Sequence, residues 1–354
     1  MKGLVLAGGK GTRLRPLTHT MPKQLIPVAN KPILDYVMDH MRQAHITSIG
    51  IVVSPDTGHY INEALDNTCA DLDITYILQE KPLGLAHAVQ VSHKFLGDDP
   101  FLMFLGDNLI KHGIKECIEL FNTSKSDAVI MLKEVEDARM FGVADIDETG
   151  NIKQLVEKPP DPPSNLAVVG VYVFSPMIHQ AIAKIQPSQR GELEITDAIQ
   201  KMMTMGYSVR SFQLNGWWLD TGKKSDLLEA NRVILDELST SKIEGTIDTK
   251  STIKGNVYNE AGATIHRTDI QGPAIIGSKT VVEDTNIGPY TSVGNSCSIK
   301  HSEILNSVVL NDVLIHNISP MQDSVIGNNA TIRQKTSTHE SIEFMVGDNT
   351  EVDL

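Results

Sequence analysis

The sequence predicts an α/β domain on a mostly parallel sheet, followed by a parallel β-helix, and three observations predict it. Up to about residue 238, short apolar runs alternate with helix-length amphipathic stretches, the pattern of strands covered by helices on both faces. After the polar stretch "DELSTSKIEGTIDTKSTIKG" that alternation stops. Aliphatic residues then recur about every six positions, at Ile270, Ile276, Val282, Ile287, Val293, Ile299, Ile304 and Val309. That is the period of stacked coils whose short faces each turn one aliphatic side chain inward.

The elements follow in order. The runs "GLVLA", "IGIVVS", "ITYIL" and "FLMFLGD" read as strands, nearly continuous in apolar residues because both faces of such a sheet are buried. Ile33 to Ala44 and Ala86 to Phe95 read as helices between them. In the second region the pairs Ile276-Gly277, Ile287-Gly288, Val293-Gly294 and Ile326-Gly327 mark turns. The expected organisation is a first domain over 1–240, a hexapeptide-repeat domain over 241–335, and a polar tail over 336–354 with no legible repeat.

Composition bounds the partners. A formal charge of −13 repels polyanions, so no nucleic acid and no anionic membrane surface is expected to bind. Three widely spaced cysteines, Cys69, Cys117 and Cys297, make neither a disulfide framework nor a zinc site, which suits a reducing cytoplasm. The apolar start at Gly3 to Ala7 is too short for a signal-peptide core, and no apolar run is long enough for a membrane span.

Against that acidic background, the first 34 residues hold six basic side chains and no acid: Lys2, Lys10, Arg13, Arg15, Lys23 and Lys31. They surround "LAGGKGTRLRPLT", a glycine-rich turn at the carboxyl end of the first expected strand, where open α/β sheets bind ligands. Backbone N–H groups of such a turn face a phosphate, and a planar Arg13 fork with a Lys23 point charge completes a cradle for an anion. Two familiar phosphate motifs fail. A P-loop needs Lys followed by Ser or Thr after its last glycine and meets Gly11-Thr12, and the dinucleotide fingerprint needs a small residue where Leu14 stands. Arg15 reads as a solvated surface cation. Asp107 and Asp220 each close an apolar run, so two carboxylates at strand ends are candidate oxygen ligands for a divalent cation, with turn chemistry as the competing reading.

These residues also carry a resemblance. "LAGGKGTRLRPLT" with "PKQLIPV", then "QEKPLGLAHAV", "FLGDN", "FGVADID", "VEKP", "SNLAVVGVYVF", "GELEITD" and "WWLDTG" follow in order over about 240 residues. They resemble the signature blocks of the sugar-1-phosphate nucleotidyltransferases, and the Lys23-Gln24 pair resembles the thymidylyltransferases among them. The resemblance implies a Rossmann-like catalytic sheet followed by a left-handed β-helix, as in the long form of the family. It also implies Mg²⁺ as cofactor, dTTP and glucose-1-phosphate as substrates, and direct in-line displacement of pyrophosphate. Under it Leu6, Gly8, Gly9, Gly11, Thr12, Pro82 and Gly84 bind the nucleotide, and Gln24 and Gln79 hydrogen-bond its pyrimidine. Arg13 orients the pyrophosphate, Lys23 stabilises charge at the α-phosphate and Lys158 holds the sugar phosphate. Glu157, Gly142 and Val168 close on the sugar, while Asp107 and Asp220 hold the metal. The chain departs from the short enzymes at Phe141, where many have tyrosine, and at His87 in "PLGLAHA".

Two other classes compete with this reading. Asp-Thr-Gly occurs at 56–58 and 220–222, but an aspartic-protease dyad belongs to an all-β chain. An acyltransferase β-helix would draw on His266, His301 or His316, yet histidines of that kind are far more often solvated or structural. The β-helix is therefore expected to be a structural or assembly module, with a homo-oligomer as the expected state. UTP remains an open alternative to dTTP, because uracil shows the same hydrogen-bonding edge without the methyl group.

Overall fold

The computed structural model describes residues 1–334 and 341–354. It divides into two compact units, Met1–Gly9 with Leu34–Asp220, and Lys10–Ile33 with Thr221–Leu354.

The first unit is built on a mixed nine-stranded sheet. The strands Phe101–Leu105, Lys2–Leu6, Ser48–Val53 and Asp73–Leu78 form one parallel block, with Leu4 opposite both Met103 and Gly50. Leu166–Phe174 runs antiparallel to Phe101–Leu105 and joins the block to the remaining strands. All four expected apolar runs are strands of this block, and their side chains fill a core with Leu4, Val52, Phe101 and Met103 at 0% exposure. The helix expected over Ile33 to Ala44 is Ile33–Gln43. The stretch expected as one helix over Ala86 to Phe95 is two, Leu85–Val91 and His93–Leu96, meeting at buried Ser92. The Ser92 hydroxyl donates back to Ala88 O at 2.7 Å, the local competition that bends helices at serine.

The second unit is a left-handed parallel β-helix of three stacked sheets plus the segment Lys10–Ile33 and the helix Lys224–Asp236. One inward row runs Ile265, Val282, Ile299, Ile315, Ile332, and another Ile270, Ile287, Ile304, Met321. Every aliphatic residue that set the six-residue period lies in this core. Each of the four marked glycines leads directly into a turn, as expected. Gly277, Gly288, Gly294 and Gly327 do not hold the left-handed corners. Those fall two residues later, on Lys279 (φ 58°), Tyr290 (φ 62°), Ser296 (φ 56°) and Asn329 (φ 55°). The glycines are needed because neighbouring coils stack too closely for a methyl group: a Cβ on Gly294 would stand 2.6 Å from Asn311 Oδ1. Of the stretch 336–354, residues 341–354 supply two further short strands, Met345–Val346 beside Val325–Ile326 and Glu351–Asp353 beside Thr331–Arg333, and residues 336–340 lie outside the described residues.

The segment Lys10–Ile33 ends in a hairpin whose two-residue tip, Ala29 (φ 50°) and Asn30 (φ 59°), is left-handed at both positions, the geometry that matches strand twist. Asn231 fixes that tip. It has no exposed surface, and its Oδ1 accepts from Ala29 N and Ser292 Oγ while its Nδ2 donates to Tyr290 O, each at 2.9 Å. Asn30 Nδ2 adds a bond to Val293 O at 2.7 Å. Replacing Asn231 with leucine strands three buried polar groups, so it is expected to lower stability by about 2–4 kcal/mol. Thermal unfolding reads this directly, and an unchanged midpoint would remove Asn231 as a structural tie.

Candidate functional site

In the first unit, parallel strands deliver functional groups at their carboxyl ends. Gly8 and Gly9 follow Lys2–Leu6, Gln79 follows Asp73–Leu78, and Asp107 follows Phe101–Leu105, where Gly106 N donates to Leu6 O at 2.9 Å. Pro82 and Gly84 lie on the loop that leads from Gln79 into the helix Leu85–Val91. That loop is fixed by backbone: Leu193 N donates to Leu83 O at 2.7 Å and Ala86 N to Leu193 O at 3.1 Å. Gly84 sits at φ 101°, and a Cβ there would fall 2.4 Å from Leu193 O. Only glycine meets both conditions.

Asp107 and Asp220 come to one end of a two-stranded antiparallel ribbon, Asn108–Ile110 with Trp218–Asp220, in which Asp220 pairs with Asn108. Asn108 is buried, donates to Asp107 Oδ1 at 3.1 Å and accepts from Trp218 Nε1 at 2.6 Å. Among the described residues no three His, Cys, Asp or Glu side chains converge as a metal cage. Two carboxylates nonetheless suit Mg²⁺, which takes few protein ligands and fills its octahedron with water and substrate phosphate oxygens. The Trp218 ring also lies 4.9 Å from that of Phe141, joining the ribbon to the next group of residues.

Gly142, Glu157 and Val168 are brought together by strand pairing. Glu157 is opposite Gly142 across two antiparallel strands, and the space above the Gly142 Cα faces Glu157 Oε2 and a Val168 methyl. Thr196 Oγ1 donates to Glu157 Oε2 at 3.2 Å. Burial pushes the Glu157 carboxyl above its ordinary pKa, opposed by the positive charge of Lys158 and Arg190. Lys158 Nζ stands 3.6 Å from Glu157 Oε1, and its backbone is held at φ 42° with its N–H on Phe141 O at 3.0 Å. A lysine kept in that conformation marks a position the surroundings over-determine. The sequence reading missed Arg190, whose guanidinium reaches Glu157, Glu192 and Glu194 at 3.2–3.5 Å. A lone cation opening the acidic block "RGELEITD" was the available signal.

In the second unit, Gly11 and Thr12 lead into the single turn Thr12–Leu14, and Thr18 Oγ1 donates to Gly11 O at 2.8 Å. The Arg13 guanidinium packs closely on Gly222, where a Cβ would stand 2.7 Å from Nη2. Lys23 and Gln24 occupy another single turn, Lys23–Leu25. Gln24 is 1% exposed and its Oε1 has no hydrogen-bond partner among the described residues, a buried acceptor that a ligand N–H would satisfy. His266, His301 and His316 lie on the outward side of the coils, the last two with rings 5.5 Å apart.

A family model described as nucleotidyl transferase matches residues 2–237. The chain is 45% identical over 355 residues to a glucose-1-phosphate thymidylyltransferase of Streptomyces antibioticus, covering 100% of this chain and 99% of that one. It is 44% identical over 362 residues to a low-salt glycan biosynthesis nucleotidyltransferase of Haloferax volcanii, covering 100% of both. Among solved structures, one assigned as a glucose-1-phosphate thymidylyltransferase from Bacillus anthracis, in complex with sucrose, superposes with a TM-score of 0.63 at 33% identity, over 68% of this chain and 98% of the other.

Substituting Gly84 by alanine is expected to destabilise the chain by about 3 kcal/mol, from left-handed strain and overlap with Leu193. Equilibrium urea unfolding checks this; a midpoint matching the unsubstituted chain would show that the Leu193 segment yields.

Proposed function

The chain belongs to the nucleotidyl transferase family, and from that premise we propose that it is a glucose-1-phosphate thymidylyltransferase, joining dTTP and glucose-1-phosphate to give dTDP-glucose and pyrophosphate. The observation that carries this reading is identity sustained from end to end with a thymidylyltransferase, β-helix included.

In this reading the sugar phosphate attacks the α-phosphorus in line, and the protein's work is positioning and charge neutralisation. Lys158 holds the attacking phosphate while Glu157 accepts hydrogen bonds from sugar hydroxyls, with Gly142 and Val168 shaping the space around them. Arg13 orients the departing pyrophosphate as a planar fork, and Lys23 stabilises charge gathering at the α-phosphate. The amides of Gln24 and Gln79 read the imide edge of the base, and the turn Gly8, Gly9, Gly11 and Thr12, with Leu6, Pro82 and Gly84, receives the nucleotide. Asp107 and Asp220 would hold Mg²⁺, which when bound neutralises phosphate charge. The acid-free first 34 residues thus let an acidic chain gather a triphosphate. Three buried free thiols fit a reducing cytoplasm, and the exposed coil surface suits a homo-oligomer, which light scattering on the full chain would test.

Pyrophosphate release with glucose-1-phosphate and Mg²⁺, run in parallel on dTTP, UTP, CTP, ATP and GTP, is expected to be fastest with dTTP and lost on chelation by EDTA. Preference for a purine nucleotide would keep the reaction and overturn the base assignment. Replacing Lys23 with alanine is expected to reduce kcat by about 10²-fold or more with little change in thermal midpoint. Equal losses of turnover and stability would count against a catalytic Lys23.

A further inference from the structure

Gln79 is the amide that reads the base in the function proposed above, and its orientation is not left to chance. Its Nε2 donates to Gly84 O at 3.2 Å and stands 3.0 Å from His87 Nδ1. A carbonyl oxygen has no proton to give, so Gly84 O identifies the nitrogen end of the amide. The second proton of that NH₂ then meets His87 Nδ1, which must be the lone-pair nitrogen of a neutral imidazole protonated at Nε2. Burial holds the His87 pKa below its ordinary value and so favours this neutral form. Gly84 is in turn immobilised by its left-handed backbone and by the Leu193 segment packed on it. Both amide protons are spent on one side. The opposite end, Oε1, faces the glycine-rich turn, 3.6 Å from where a Cβ on Gly8 would stand.

We propose that His87 is a positioning residue that fixes the hydrogen-bonding polarity of Gln79, so that the base meets an acceptor and never a donor. Thymine and uracil offer an N3–H to that acceptor. Cytosine, with a bare N3 lone pair, meets oxygen against nitrogen and is rejected, because a site built for one hydrogen bond leaves a buried group unpaired when the partner lacks it. The device selects the imide bases as a class and does not separate thymine from uracil. His87 also stands where the sequence departs from the short enzymes, so the clamp is a property of this chain's own residue. The inference rests on Gln79 as a base-reading group.

The test uses the full chain with glucose-1-phosphate and compares steady-state kcat and KM for dTTP and dCTP. His87→Leu removes the acceptor, His87→Gln restores one through its amide oxygen, and His87→Lys offers only donors. With His87→Leu, KM for dTTP is expected to rise about fivefold with kcat within about twofold, and the dTTP-to-dCTP ratio of kcat/KM to fall about tenfold, the scale of one hydrogen bond. His87→Gln is expected to recover most of both, and His87→Lys to lose at least as much as His87→Leu. If the leucine variant does not fold, the glutamine and lysine variants carry the comparison alone. An unchanged nucleotide ratio in His87→Leu or His87→Lys, or a His87→Gln enzyme as impaired as these, would overturn the role of His87. Failure of the underlying reading has a separate signature, since the unsubstituted enzyme would itself prefer dCTP or a purine nucleotide.

Discussion

The buried amide of Asn231 is the interaction on which the second unit depends. Three hydrogen bonds hold it, joining the tip of the basic segment at Ala29 to one β-helix corner through the Tyr290 backbone and the Ser292 side chain. Ala29 is left-handed without being glycine, a conformation costing about 1–2 kcal/mol for an L-residue, and the bond to its N–H is what offsets it. The aliphatic contacts of Ala29, Leu235 and Ile275 close around the same point. Further along the segment, Thr20 Oγ1 donates to Asp348 Oδ2 at 2.8 Å. The stretch that holds Arg13, Lys23 and Gln24 is therefore anchored on the β-helix side of the chain. The repeat domain is thus the bed on which the basic segment Lys10–Ile33 is laid.

In the first unit the equivalent constraint is the backbone zipper between residues 83–86 and Leu193. It fixes Gly84, Gly84 fixes the amide of Gln79, and the same segment places Arg190 and Glu194 against Glu157. Glu157 is a half-buried acid whose charge is supported by Lys158, Arg190 and Thr196. A carboxylate held this way has hydrogen-bonding capacity left for hydroxyl groups, which an unsupported buried acid, driven to protonate, would lose.

Much of this was legible in the residues. The strands of the parallel block and the β-helix core could be read because each rests on a repeating pattern of buried aliphatic side chains, and burial is what such periods report. The helix over Ala86 to Phe95 was read as unbroken because nothing in the apolar spacing reveals that the Ser92 hydroxyl will turn back on Ala88 O. The coil glycines mark the turns in the sequence, but only the structure shows that they serve close stacking and that the left-handed corners fall to Lys279, Tyr290, Ser296 and Asn329. Arg190 is not legible in the sequence, and His87 is legible only as a departure from the short enzymes, because their contacts are relations, to Glu157 and to Gln79, across 33 and 8 positions of sequence.

The sequence by itself determined the two architectures, the basic and acid-free character of the first 34 residues and the blocks that mark the family, since all of these reside in residue type and local spacing. Only the tertiary structure decided that the Lys10–Ile33 segment packs with the β-helix unit, that Arg13 rests on Gly222, and that Gln79 presents oxygen and not nitrogen. Each of those depends on which backbone carbonyl or buried amide arrives from a distant part of the chain. Hydrogen-bond direction is set by the partner, and the partner is chosen by the fold.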